Sequence, residues 1–438
     1  MKDATLETAR RLKQELLDYI FDAEGELAVA FESYCADRGS GQNFDIDRRD
    51  LTIASFAIEG IANDRSPIDW FLADRPDLTP DERHLLAGWQ RGFMGLFEVT
   101  AAESEELELM NWLSAKHYPV EPIDPQKTAR LKPGDILLTR IVPLSDDRWM
   151  LLGTYAYLGK LGQPKLAVAI GNFKENYPQA LYSDAPELLE LAWDSVAEYH
   201  REFVAFFGSD RITLPGKELS EKIGELQQQM TDRRLSAAGI DPTKSLSQAA
   251  RDAGMDEEEL VAAASESGME ASQVQRLLKG ETKMVRPKIE LPDNLKRSPA
   301  VTVLSHPRWG QTFLPNYTQW EESIESSEET PQTEANSRLR QYIDDASVNF
   351  WVWQQIAKEH PQALEAGLQT VLARPDFSLE RDFADWLQQI DRRAQPKLPE
   401  TASIPQHLQQ LFEVALAQVN SSKSKSKTKK KAKGTKGF

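Results

Sequence analysis

Residues able to do chemistry are few and widely spaced in this 438-residue chain. The six histidines (His84, His117, His200, His306, His360, His407) form no HExxH and no pair at metal-ligand spacing. Of these, His200 falls among aromatic residues of a helical stretch and reads as a packing histidine. Gly153 to Lys160 has the texture of a phosphate loop but one residue too many between its glycines. Leu161 also stands where Ser or Thr would bind magnesium. No nucleophile elbow is present, and Cys35 has no histidine near it in sequence. Carboxylates are abundant, and none can be paired off from a charged surface. The sequence therefore assigns no catalytic residue, no metal ligand and no cofactor.

Two groups of residues suit recognition instead. Eight lysines (Lys423, Lys425, Lys427, Lys429, Lys430, Lys431, Lys433 and Lys436) lie in the last sixteen residues. Full engagement of phosphates by them implies a salt slope of about −7. The only aromatic among them is Phe438, so base stacking is not expected. The competing reading is a solvated tail that contacts its own acidic body. Trp351 and Trp353 form the second group, as candidate partner-binding residues. One residue apart on a helix, they point in different directions, so one packs inside while the other is offered to a partner.

Residues 264–280 resemble the helix-turn-helix of phage-repressor-type regulators. Ala264 is followed four residues later by Gly268, a spacing that lets two short helices pack around a tight turn, with Val274 and Leu277 inward. The resemblance implies that Ser272, Gln273, Gln275, Arg276 and Lys279 face a major groove. Against it stand Asp256 to Glu259, which repel phosphate, and short Ala-rich helix pairs that serve only packing or a protein partner. A looser likeness covers roughly residues 50–155. Trp70-Phe71-Leu72, Leu131 to Asp135, Arg140 to Pro143 and Trp149 to Gly153 are similar to the N-terminal part of uncharacterised bacterial proteins that often end in a SEC-C zinc motif. The cysteines of that motif are missing here, so the likeness implies fold kinship and no chemistry.

Composition narrows the class. Hydrophobic residues make up 40%, enough for real cores, and the length suggests about three domains. The formal charge is −17. Without the eight C-terminal lysines, 44 basic residues face 69 acidic ones, leaving −25, so a polyanion contact would have to be local. A single cysteine suits a reducing compartment. No stretch approaches the roughly 20 apolar residues that span a bilayer, and the N-terminus has no secretory h-region. The expectation is a cytoplasmic protein that is not transmembrane.

The elements that must position these residues read as mostly helical. Thr79-Pro80-Asp81-Glu82 predicts a capping box, and Asp184 to Glu187 another. Leu188, Leu189, Ala192, Val196, Tyr199, Phe203 and Phe206 predict one helix ending at Gly208. Leu219, Ile223, Leu226 and Met230 predict the next. Between residues 93 and 157, turn chemistry separates β-prone runs: Leu96 to Ala101 pairs with Leu107 to Trp112, and Ile136 to Val142 with Trp149 to Tyr157.

The expected fold class is α+β, mostly α: a helical multi-domain protein with one small antiparallel β subdomain at about 93–170. The expected organisation is 1–170 as helices plus a β-meander, 171–236 as a helical hairpin, and 245–281 as the short-helix module. Residues 282–336 read as a linker or extended segment, 337–420 as C-terminal helices and 421–438 as a disordered tail. The functional expectation is a non-enzymatic binding, adaptor or assembly protein with a protein partner. The alternative is a nucleic-acid-associated protein using the helix-turn-helix-like module and the lysines.

Overall fold

The computed structural model describes residues 2–39, 46–103, 106–122, 128–237, 284–325 and 329–433. They form two compact units, residues 1–189 with 405–438, and residues 190–404.

In the first unit the helices α1 (Lys2–Phe21), α2 (Glu26–Gly39), α3 (Ile46–Glu59), α4 (Pro67–Asp74) and α5 (Pro80–Trp89) precede the sheet. The stripe of α1 buries Ala9, Leu12, Leu16 and Ile20 against Phe56, Phe71 and Trp89. The start of α5 forms as its sequence requires. Glu82 N–H donates to Thr79 Oγ1 at 3.3 Å and Thr79 N–H donates to Glu82 Oε2 at 2.8 Å, so two orphan donors are satisfied reciprocally.

The strands are β1 (Phe93–Ala102), β2 (Leu107–Asn111), β3 (His117–Glu121), β4 (Ile136–Pro143), β5 (Trp149–Leu151) and β6 (Ala156–Gly159). Both hairpins expected from the turns form, β1 with β2 and β4 with β5. The architecture nevertheless differs from the expected meander. β4 returns to lie beside β1, with Phe93 opposite Ile141, which gives the Greek-key order β4-β1-β2-β3. β5 then pairs with β3 in parallel, Val120 opposite Trp149, and so closes a five-stranded barrel. Phe97, Leu109, Val120, Leu137 and Ile141 fill its interior, each completely buried. A bulge between Val99 and Ala101 bends the long strand β1 so that it can serve both sides.

Two further sheets were not expected: β10-β9-β7 and the pair β8–β11. The chain is thus a mixed α/β protein, with fifteen α-helices among the described residues, a closed barrel and two small sheets. The reading as mostly α with one small antiparallel β subdomain is corrected. The physical reason is that barrel closure and the second sheet depend on pairings between strands far apart in sequence, which turn residues do not announce.

The first unit continues with α6 (Gln163–Asn176) and ends with α15 (Gln406–Lys433), which packs along α6. The second unit holds most of α7 (Pro186–Phe207), then β7 (Arg211–Leu214), α8 (Gly216–Ala237), β8 (Met284–Val285) and α9 (Asp293–Lys296). It goes on through β9 (Val301–His306), β10 (Gly310–Pro315) and the helices α10 (Tyr317–Glu325), α11 (Glu329–Asp344), α12 (Phe350–Glu359), α13 (Pro361–Val371) and α14 (Leu379–Gln389). It reaches β11 (Ile404–Pro405) at the division. The predicted stripes of α7 and α8 meet here: Tyr199, Phe203, Leu219, Ile223, Leu226 and Met230 are buried together with Val301 and Val303 of β9. Gly208 ends α7 at φ +77°, the left-handed conformation that a glycine after a helix adopts without penalty.

Candidate functional site

The densest convergence of recognition-type side chains lies at the tip of the β9–β10 hairpin. His306 and Gly310 are the closing pair, joined by Pro307, Arg308 and Trp309. Pro307 presets one turn dihedral. Gly310 adopts φ +70°, and a Cβ there would lie 2.8 Å from Pro399, so a larger residue would be strained and crowded at once. The His306 ring completes the turn. Its Nδ1 accepts the backbone N–H of Arg308 at 3.0 Å and of Trp309 at 3.2 Å, the role an Asn or Asp side chain plays in an Asx turn.

This tip reaches two helices of the same unit. Arg308 places its guanidinium over the Trp193 ring of α7, 4.4 Å from the centroid. Trp309 stacks beside Phe350 of α12 at 6.2 Å and 23°, and the His306 ring lies 4.7 Å from that of Trp351. Asn349 fixes α12 to the sheet: its Oδ1 caps the Val352 N–H at 3.1 Å and its Nδ2 donates to Thr312 Oγ1 at 3.0 Å. On α7, Trp193 and His200 are seven residues apart and share a face. His200 Nδ1 lies 3.0 Å from Ser305 Oγ, which also accepts from Gln311 Nε2 at 3.0 Å. Burial pushes the His200 imidazole below its ordinary value, against the pull of Asp210. His306 is lowered by burial first and by His200 second, and Asp210 again opposes.

The two tryptophans singled out from sequence part company. Trp353 is completely buried, edge-on to Trp386 at 5.2 Å, and its place among the candidate partner-binding residues is corrected: a side chain with no exposed surface belongs to the core. Trp351 is only partly buried and stays at the patch. Ser272, Gln273, Gln275, Arg276 and Lys279 lie outside the described residues, as does Lys436. The other seven lysines fall on the backbone of α15, which continues as helix to Lys433 rather than ending near Val419. The sequence reading missed Trp193, Arg308 and Trp309. A usable signal was present, because His306-Pro-Arg-Trp-Gly310 between two β-prone runs has the form of a three-residue hairpin loop.

Histidines that are scattered in sequence also meet elsewhere. Glu321, Glu359 and His360 present ligand-type atoms within 4.8 Å of one another. Arg211 already serves these carboxylates, with NH2 2.6 Å from both Glu321 oxygens and NH1 2.9 Å from Glu359. A guanidinium in that place supplies the countercharge a cation would bring, so the cluster reads as an ion-pair hub.

No known protein family, curated protein or solved structure matches the chain. No described helix is long and apolar enough to cross a membrane.

Proposed function

We propose that the chain works by binding a protein partner through the hairpin-tip patch of the second unit. The observation that carries this reading is the convergence of Trp193, Arg308, Trp309, Phe350 and Trp351, all at least partly exposed, from three separate elements. Tryptophan and arginine are the residue types that dominate binding energy at protein interfaces, and here rigid secondary structure holds them before any partner arrives. The test is recovery of partners from native extract by the tagged full-length chain, with and without nuclease. The double variant Arg308→Ala/Trp309→Ala should lose a protein that the parent retains after nuclease treatment. Recovery of the same proteins by both would sink the reading.

A second reading rests on a separate observation. The 28-residue helix α15, about 42 Å long at 1.5 Å per residue, carries seven lysines among its last eleven positions. Such a helix would meet a polyanion along its length. The barrel would not contribute, because Glu103, Glu106, Glu108, Asp146 and Asp147 flank or occupy the outer face of β2 and β3 and oppose phosphate. Retention of DNA or RNA that weakens steeply with salt, and is abolished by deleting residues 423–438, would support it. Unchanged nucleic-acid mobility at low salt would remove it.

A further inference from the structure

The hydrogen bonds at the hairpin tip determine a protonation state. Backbone N–H groups can only donate, and two of them, from Arg308 and Trp309, point at His306 Nδ1. That nitrogen must therefore offer its lone pair, and the ring is neutral with its proton on Nε2. A proton on Nδ1 would face two N–H groups across about 3 Å, and both hydrogen bonds would be lost.

We propose that His306 is a pH-operated latch: the neutral ring holds the Pro307–Trp309 turn closed, and protonation at Nδ1 releases it together with Arg308 and Trp309. This rests on the reading of the patch as a recognition surface only for its consequence, which is that acidification weakens partner binding. The latch itself is a property of the free chain.

Several groups bear on the ring. From α7 comes His200, itself faced by Arg201, and from the segment after α7 comes Asp210. The ring's own turn contributes Arg308, and α12 contributes Trp351, which does not titrate. His200 and Arg308 disfavour a second cation, and Asp210 favours it. The Trp351 ring would also favour imidazolium, by about 0.5–1 kcal/mol at an exposed site. The two turn hydrogen bonds are worth about 0.5–1.5 kcal/mol each and are lost together, so the neutral ring wins. The closed tip thus binds its proton less readily than the open tip. Closure is complete above the ordinary histidine value near 6.5 and is lost as pH falls below it. Each pH unit by which the tip depresses the ring shifts the latch by at most about tenfold.

The experiment is a pH titration from 8 to 5 of the full-length chain without partner, followed by histidine ring nitrogen and backbone amide resonances. At pH 8, His306 should show an unprotonated Nδ1 and a protonated Nε2. The opposite tautomer overturns the proposal with no variant needed. On acidification the Arg308 and Trp309 amides should shift in step with the His306 ring, and titration of the ring without them also overturns it. His306→Asn keeps an acceptor for the turn but does not titrate, so its two amides should stay fixed, whereas His200→Asn should keep the transition. A latch that behaves so in a chain whose Arg308→Ala/Trp309→Ala variant still recovers the same proteins at pH 8 would leave the latch standing and remove the partner reading alone.

Discussion

Arg140 and Glu59 meet at 2.7 Å where the barrel joins the N-terminal helices. The Arg140 side chain on β4 is 2% exposed, while that of Glu59, the last residue of α3, is 32% exposed. Arg140 also donates to the Gly92 carbonyl at 3.3 Å, and Tyr34 of α2 donates to Glu59. One carboxylate thereby ties α2 and α3 to the barrel wall. Glu59→Gln keeps the shape and removes the countercharge of a buried guanidinium. Loss of a fully buried partner costs about 3–5 kcal/mol, and water access at Glu59 reduces the expectation to about 2–3 kcal/mol. Denaturant unfolding of the variant should show this as a lowered midpoint. An unchanged midpoint would mean that the pair is incidental to stability.

Trp351 and Trp353 should separate cleanly by what their removal disturbs. Trp353→Ala empties a core site beside Trp386 and Phe377 and should cost about 3–5 kcal/mol. Trp351→Ala removes a partly exposed ring and should cost about 1 kcal/mol or less, while partner recovery falls. The comparison uses thermal or denaturant unfolding beside pull-down. Equal destabilisation by the two variants would contradict the burial seen here.

The Arg211 hub makes its own prediction. Its guanidinium joins Glu321 and Glu359 and lies 5.1 Å from the centroid of the Tyr317 ring. Arg211→Ala leaves two carboxylates near each other beside His360 and should destabilise the second unit by about 1–2 kcal/mol, the buried-pair figure discounted for partial exposure. Double-mutant cycles with Glu321→Gln would isolate the coupling, and a coupling near zero would reduce the hub to a surface contact.

Acid should loosen the first unit through His407. Its Nε2 lies 2.7 Å from the Trp112 carbonyl, pinning the start of α15 to the turn after β2. Burial pushes the imidazole below the ordinary value of 6.5, and the bond to the carbonyl only partly offsets this. The unfolded chain therefore takes up the proton first as pH falls. Stability is full above about pH 6.5 and declines as pH drops toward the folded value. His407→Gln retains a donor for the carbonyl and should flatten the decline. Unfolding midpoints measured across pH 5 to 8 would settle it, and identical pH profiles for parent and variant would exclude the mechanism.

What the sequence determined by itself was local. The Thr79–Glu82 capping box, the apolar stripes of α7 and α8 and the stop at Gly208 are interactions within a few residues, and each stands as its spacing requires. The two barrel hairpins belong with them, because turn residues set their pairing. Only the tertiary structure decided that β4 returns to β1, that β3 and β5 run parallel, and that the stretch containing Val301 to Pro315 is a hairpin in a three-stranded sheet. It also decided which of Trp351 and Trp353 faces outward, and it brought Trp193 under Arg308 across more than a hundred residues of chain. Periodicity reports which face of an element is apolar. The partner of that face is chosen by the packing of the whole unit, through contacts whose free energy exists only once distant segments have met.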